Sequence, residues 1–274
     1  MTTYTGGIVA PFDVADRQAA LNFVESYARA AKITDPYFTV HSRRFAETMA
    51  FVPSSGKSYA RALELGSTAL FQELLRNVFG YEEVHGTHYQ AEAPEKSYFR
   101  EFSVLSDRKW YRTHNVNFEE QALPFEDGYF DLVLCCEVIE HMERDPMYLM
   151  SEINRVLAPG GKLLLTTPNS ASGRIVWAVL NGFRPHFFMQ YSRDGSLYRH
   201  NYEYDVHAMR VLVESAGFSV NDLTTIDTFE RPVPEALELL SQKGFPTVDR
   251  GDNIYCRAHK VGPVSQRYPA PIYY

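Results

Sequence analysis

The sequence predicts a doubly wound α/β fold around a parallel sheet, and three observations carry that prediction. From about Tyr59 onward, short apolar runs alternate with stretches whose apolar residues recur at helical spacing, the succession expected of βαβ units. Two of those runs, 130–136 and 162–167, hold the unbroken apolar blocks Leu132–Cys136 and Leu163–Leu165, as strands buried within a sheet do. The polar residues Glu137, Glu140 and His141 directly follow the first run. Open α/β sheets bind ligands there, at the carboxyl ends of strands near the point where strand order reverses.

The elements follow in order. Residues 13–31 read as a helix, with Leu21, Val24, Ala28 and Ala31 on one face and Asp13 as its N-cap. A short helix is expected over 41–50, with Phe45 and Met49 facing inward. PSSGKS at 53–58 is a linker by composition. It contains Gly-Lys-Ser, but the upstream glycine of a phosphate-binding loop is missing and no strand precedes it. Residues 59–66 form the first strand and 68–79 a helix with Leu70, Phe71, Leu74, Leu75 and Val78 on one face. The second strand is expected at 83–89 and the third at about 112–118, with a polar, aromatic insertion at 92–111 between them. Asp127-Gly128 turns into the fourth strand, 130–136. Leu149, Ile153, Val156 and Leu157 define the next helix, and 162–167 is the fifth strand. After Asn169 an aromatic segment interrupts the alternation. A helix at 205–216 then stops at Gly217. Residues 219–227 and 253–260 read as an antiparallel pair closing one edge, with a helix near 234–242 between them, and the Pro- and Tyr-rich tail reads as an extended surface arm.

Composition bounds the function. The 274 residues are 45% hydrophobic and 22% charged, as ordinary globular proteins are. The 18 Tyr, 18 Phe and two Trp suit a large core or an aromatic-lined pocket. A net charge of −7 argues against nonspecific nucleic-acid binding, so no DNA partner is expected. No apolar run approaches the ~18 residues of a membrane span. The start of the sequence has no basic-then-apolar leader, and the three cysteines make no disulfide framework, so a cytoplasmic setting is expected.

LELG at 63–66, ALPFEDGYFDLVLCCEVIEH at 122–141, EINRVLAPGGKLLLTTPN at 152–169 and RHNYEYDVHAMRVLVESAGF at 199–218, in this order and spacing, resemble class I S-adenosylmethionine-dependent methyltransferases. The resemblance covers about residues 59–260. It implies a Rossmann-like seven-stranded sheet, here with a helical cap (1–56), a methyltransferase domain (57–262, insertions near 92–111 and 170–198) and a C-terminal arm (263–274). It also implies S-adenosylmethionine as cofactor. Glu64 would take its ammonium, Gly66 would let backbone approach, and Glu137 would border the same pocket. The family's Gly-x-Gly-x-Gly turn appears as GSTALF, so the following helix is expected to begin early, capped by Ser67 or Thr68. The carboxylate that usually ends the second strand is missing, and His88 or Tyr89 stands at its place, with Glu92 nearby. Asn117 and Phe118 match the positions that meet adenine.

Glu137-Val-Ile-Glu140-His141 resembles the E-x-x-E-H cluster that binds a divalent metal in ubiquinone-pathway O-methyltransferases and small-RNA 2′-O-methyltransferases. The resemblance implies that Glu137, Glu140 and His141 hold Mg²⁺, Mn²⁺ or Zn²⁺, with His200 as fourth ligand. Two other readings stand beside it. His141 alone is a general base, or Glu140 and His141 simply open a helix or loop, where carboxylates are common. Cys135 and Cys136 alternate faces of a buried strand and read as packing. Arg43 and Arg44 read as a solvated face or as contacts to an anionic substrate. Trp177, Phe183, Phe187, Phe188 and Tyr191 read as an aromatic lid or as the core of an inserted helix, and His114 as a plain strand residue.

The expected reaction is O-methylation of a saccharide or other small hydroxylated metabolite. The rivals are an RNA or protein methyltransferase, opposed by the charge, and a degenerate fold that binds without transferring methyl, favoured by GSTALF and His88. A nicotinamide enzyme lacks both its glycine fingerprint and its acid. The Tyr-rich tail fits a homodimer contact or a fold-back on its own chain.

Overall fold

In the computed structural model, residues 3–4, 12–90, 96–106, 109–185, 199–229 and 231–274 are described. A two-residue ribbon, β1 (Thr3–Tyr4) with β2 (Phe12–Asp13), leads into α1 (Arg17–Ala30). The cap of α1 is Asp16, which accepts from the amides of Gln18 and Ala19. Asp13, the expected cap, instead accepts from Ala15 N one turn earlier. A short α2 (Pro36–Val40) begins at Asp35-Pro36, an N-cap followed by the residue best suited to a first turn. Next comes α3 (Ser42–Phe51).

The alternation then builds one eight-stranded sheet. In chain order come β3 (Arg61–Leu65), α4 (Ala69–Asn77), β4 (Glu83–His88), β5 (Ser97–Phe102), β6 (Lys109–Asn115) and β7 (Phe130–Cys136). A 3-10 turn (Ile139–His141), α5 (Pro146–Val156), β8 (Leu157–Pro168) and α6 (Gly173–Leu180) follow. The last elements are α7 (Val206–Ser215), β9 (Phe218–Ile226), α8 (Pro234–Gln242), β10 (Asn253–Lys260) and α9 (Ala270–Tyr273). Across the sheet the order is β5-β6-β4-β3-β7-β8-β10-β9. Strands β6, β4, β3, β7 and β8 are parallel, and β10 runs antiparallel to both β8 and β9. All seven expected strands are present. The eighth, β5, is an antiparallel edge strand inside the expected insertion, and it pairs with β6 from Ser97↔His114 to Phe102↔Lys109.

The pleat sends alternate side chains into two cores. Leu132, Leu134 and Leu164 pack with α1, α3 and α4 on the cap face. Val133, Cys135, Leu163 and Leu165 pack with α5 and α7 on the other. Each fully buried leucine contributes about 1.5–3 kcal/mol, so both faces must stay covered. Among the described residues no helix is long and apolar enough to cross a membrane.

Strand order reverses between β3 and β7. Chain progression runs outward through β4 on one side and through β8 on the other, which opens a crevice at the carboxyl ends of these strands.

Candidate functional site

Glu64, at the end of β3, turns its carboxylate back into its own turn. Oε1 accepts from Thr68 N at 2.9 Å and Thr68 Oγ1 at 3.1 Å, while Oε2 is buried with no hydrogen-bond partner. Burial pushes the carboxyl up to about 8, against the opposing bonds from Thr68 and the charge of Arg100. Gly66 sits at φ +63°, and a Cβ there would lie 3.1 Å from Val138 Cγ2. Its amide donates to Thr87 Oγ1 at 3.2 Å, and Ser67 N donates to Thr87 O at 2.7 Å. Thr68, not Ser67, caps α4. The turn thus keeps its close approach with one glycine, because the Thr68 amide and hydroxyl both close on Glu64.

His88 ends β4 opposite Asn115. Burial, and then the charge of Arg100, lower its pKa. Tyr89 follows, half-buried. Asn117 shapes the turn after β6: its Oδ1 accepts from Glu119 N at 3.0 Å, and its backbone N–H donates to Gln121 Oε1 at 2.9 Å. Phe118 packs against the α5–α7 core.

Glu140 is fully buried. Its Oε2 accepts from Thr167 Oγ1 at 3.0 Å, and Oε1 has no hydrogen-bond partner and lies 3.8 Å from His141 Nε2. Burial and the neighbouring Glu137 charge raise its pKa well above the carboxylate range. His141 donates from Nδ1 to Arg199 O at 3.0 Å, and His200 Nδ1 lies 2.7 Å from Glu203 Oε1. Such bonds fix the ring and leave the lone pair of a neutral imidazole on Nε2. Ligand atoms of Glu140, His141 and His200 all lie within 4.8 Å of one another.

Glu137 stands apart from these three. Its Oε1 accepts from Thr166 Oγ1 at 2.7 Å and Asn253 Nδ2 at 3.1 Å, and it adopts φ +55°, in the left-handed region. Thr166 and Thr167 are consecutive on β8 and face opposite sides of the sheet, so one draws Glu137 toward the cap and the other draws Glu140 toward α5 and α7. The structure gathers three of the four residues of the expected ligand set and holds Glu137 on the other face.

Arg44 is 3% exposed, which overturns its reading as a solvated residue. Cys135 is buried, and burial pushes the Cys136 thiol up to about 12. Both are poor nucleophiles. His114 is a buried β6 residue whose Nε2 lies 3.1 Å from His85 Nδ1. Trp177 is half-buried on α6 and Phe183 is 70% exposed. Phe187, Phe188, Tyr191 and Glu92 lie outside the described residues. The sequence reading missed Arg100, whose charge acts on both Glu64 and His88. The only local signal for it was the aromatic–polar run of β5. Asn253, bonded to Glu137, carried no signal short of the strand pairing itself.

A family model described as a methyltransferase domain matches residues 42–223, most of the chain. The chain belongs to the methyltransferase family. The doubly wound strand order agrees with the fold of solved S-adenosylmethionine-dependent methyltransferases. A ubiquinone biosynthesis O-methyltransferase of Xanthomonas oryzae is 37% identical over 70 residues, which are 26% of this chain and 28% of that protein. A malonyl-[acyl-carrier protein] O-methyltransferase of Alcanivorax borkumensis is 39% identical over 71 residues, 25% of this chain and 23% of that one. The chain therefore spans about a quarter of the length of these curated relatives. The crystal structure of a SAM-dependent methyltransferase from Archaeoglobus fulgidus aligns with a TM-score of 0.51 at 17% identity, over 82% of this chain and all of that one. That likeness bears on the fold.

Proposed function

We propose that this methyltransferase transfers the methyl group of S-adenosylmethionine to a hydroxyl of a small metabolite, a saccharide among the acceptors to test first. The observation that carries the reading is the placement of Glu140, His141 and His200 in one cluster after β7, the strand paired with β3, which leads into the Glu64–Gly66 turn. The residues fit the cofactor. Glu64 Oε2 is a buried oxygen without a partner, suited to an ammonium, and Gly66 lies in a conformation that lets backbone come close. Held there by Glu64 and Gly66, the cofactor would supply an electrophilic sulfonium methyl for transfer to oxygen, with S-adenosylhomocysteine as the leaving product.

The cluster also fits a divalent cation: two imidazoles, each tied through Nδ1 to an acceptor, and one carboxylate oxygen with no hydrogen-bond partner. Such an ion supplies polarisation of the acceptor hydroxyl. A second reading rests on His141 alone. Its side chain is 21% exposed, its Nδ1 is held by Arg199 O, and its Nε2 lone pair can take the hydroxyl proton. The one lone pair serves either a metal or a proton, so the two readings exclude each other.

Calorimetric titration of metal-stripped protein with S-adenosylhomocysteine, then with Mg²⁺, Mn²⁺ or Zn²⁺ added, separates them. Micromolar binding supports the enzyme. A metal-dependent gain that Glu140→Ala abolishes supports the metal site. Metal indifference with activity lost in His141→Ala supports the base. No heat under any condition favours a degenerate fold.

A further inference from the structure

The cap carries a cation that none of the chemistry above uses. Arg44, on α3, lies under the half-exposed ring of Tyr37, to whose Oη its Nη2 donates at 2.8 Å. Its guanidinium carbon lies 4.9 Å from the centroid of Phe45 and 5.8 Å from that of Phe229. Nε is buried with no hydrogen-bond partner, and no carboxylate lies within ion-pair distance among the described residues. The charge that acts on it most strongly is that of Glu137, whose Oε1 is already committed to Thr166 and Asn253. His41 adds a buried Nδ1 without a partner, and burial and the Arg44 charge pull its pKa down to about 4, so that ring is neutral. A desolvated guanidinium without a counter-ion is costly. The Glu137 charge offsets part of that cost, and the unpartnered Nε is left for the oxygens of a ligand.

We propose that Arg44 is the carboxylate-binding residue of the ligand chamber, with Nε and a neighbouring Nη offering a planar fork to the carboxylate of a small molecule held between the cap and the carboxyl ends of the strands. The inference rests on the methyltransferase reading above. A carboxylate suits the surroundings better than a phosphate: one cation, already in the field of Glu137 and walled by aromatic rings, balances a single negative charge. Two molecules in such a site bring a carboxylate, the amino-acid part of the cofactor and an acidic acceptor.

The test compares wild type, Arg44→Met and Arg44→Lys by calorimetry. The probes are S-adenosylhomocysteine, 5′-methylthioadenosine, which lacks the amino-acid part, and benzoate added to protein saturated with S-adenosylhomocysteine. Thermal unfolding confirms that each variant is folded, and Arg44→Lys, which keeps the charge and loses the fork, gives a smaller effect than Arg44→Met. If the cofactor supplies the carboxylate, Arg44→Met weakens S-adenosylhomocysteine about tenfold or more and leaves 5′-methylthioadenosine unchanged. If the acceptor supplies it, S-adenosylhomocysteine is unchanged and benzoate binding disappears in the variant. Equal losses for both nucleosides, or no change for any probe, overturn the assignment and leave Arg44 as packing. Wild-type protein that binds neither nucleoside sinks the methyltransferase reading and this inference with it.

Discussion

Burial gives Glu64 two linked pH dependences. Its carboxyl titrates at about 8 in the fold, against about 4.3 in an unfolded chain. The fold therefore favours the protonated acid. That contribution is fully present below about pH 4 and is lost as pH rises toward 8. Without ligand, the melting temperature should fall across this window, and Glu64→Gln should flatten the fall. An ammonium ligand needs the opposite, ionised form. Affinity for S-adenosylhomocysteine should rise about tenfold per pH unit between roughly 6 and 8, then level. A flat affinity profile in the wild type would sink Glu64 as the ammonium partner. Gly86 makes a sterically sharper case. A Cβ there would lie 2.5 Å from both Gln72 Nε2 and Ser67 Oγ, so β4 passes against the β3–α4 turn with no room for a methyl group. Gly86→Ala should lower stability by about 1–3 kcal/mol in urea unfolding and weaken S-adenosylhomocysteine binding at the same time, because the atoms that must move include Oγ and Cβ of Ser67 beside Gly66.

Elements were legible where the code is local. Buried strands such as 130–136 and helices with a full apolar face, α4 and α7 among them, stand close to their expected places because period and capping fix them. The strand β5 was not legible. Ser97–Phe102 is half-exposed, and what makes it a strand is its pairing with β6, which no local pattern announces. The division of Glu137 from Glu140 was hidden for the same reason. It depends on which face of β8 each threonine presents, whereas the sequence shows only that the two acids are three residues apart. The cap's attachment is likewise nonlocal. Glu73 of α4 is buried, with Oε2 accepting from Tyr27 Oη of α1 at 2.7 Å and Oε1 from Val104 N at 3.0 Å and Leu105 N at 3.2 Å. One carboxylate thus joins the cap, α4 and the β5–β6 connection. Tyr27→Phe removes one of three donors to a buried acid and should cost about 1–3 kcal/mol. Equilibrium urea unfolding reads the loss, and a cost under about 0.5 kcal/mol would show that the cap is held by packing alone.

At the scale of the whole molecule, the tail closes on the end of α7 and the start of α5. Ser265 N and Gln266 N donate to Ser215 O, and Val264, Ile272 and Tyr273 pack against the α5–α7 core. Arg267 Nη1 reaches Asp145 Oδ1 at 2.9 Å, and Tyr273 Oη both donates to Asp145 and accepts from Met147 N. Asp145 is the N-cap of α5, accepting from Tyr148 N at 3.1 Å, and only Met142, Glu143 and Arg144 separate it from His141. Burial would raise its pKa, but the bonds from Arg267 and Tyr273 outweigh that and hold it below the usual range. A depressed carboxyl contributes stability above its unfolded pKa, near 4, and loses it as pH falls through the folded value. Deleting residues 263–274 should therefore destabilise the protein at neutral pH by about 1–3 kcal/mol, with the deficit shrinking as pH falls through the lowered titration of Asp145. Asp145→Asn should cost less in the deletion than in the full chain, because the two changes remove the same bonds. Additive costs in that cycle would mean the tail is held by its apolar contacts, and that the turn carrying Glu140 and His141 owes its position to the cap of α5 alone.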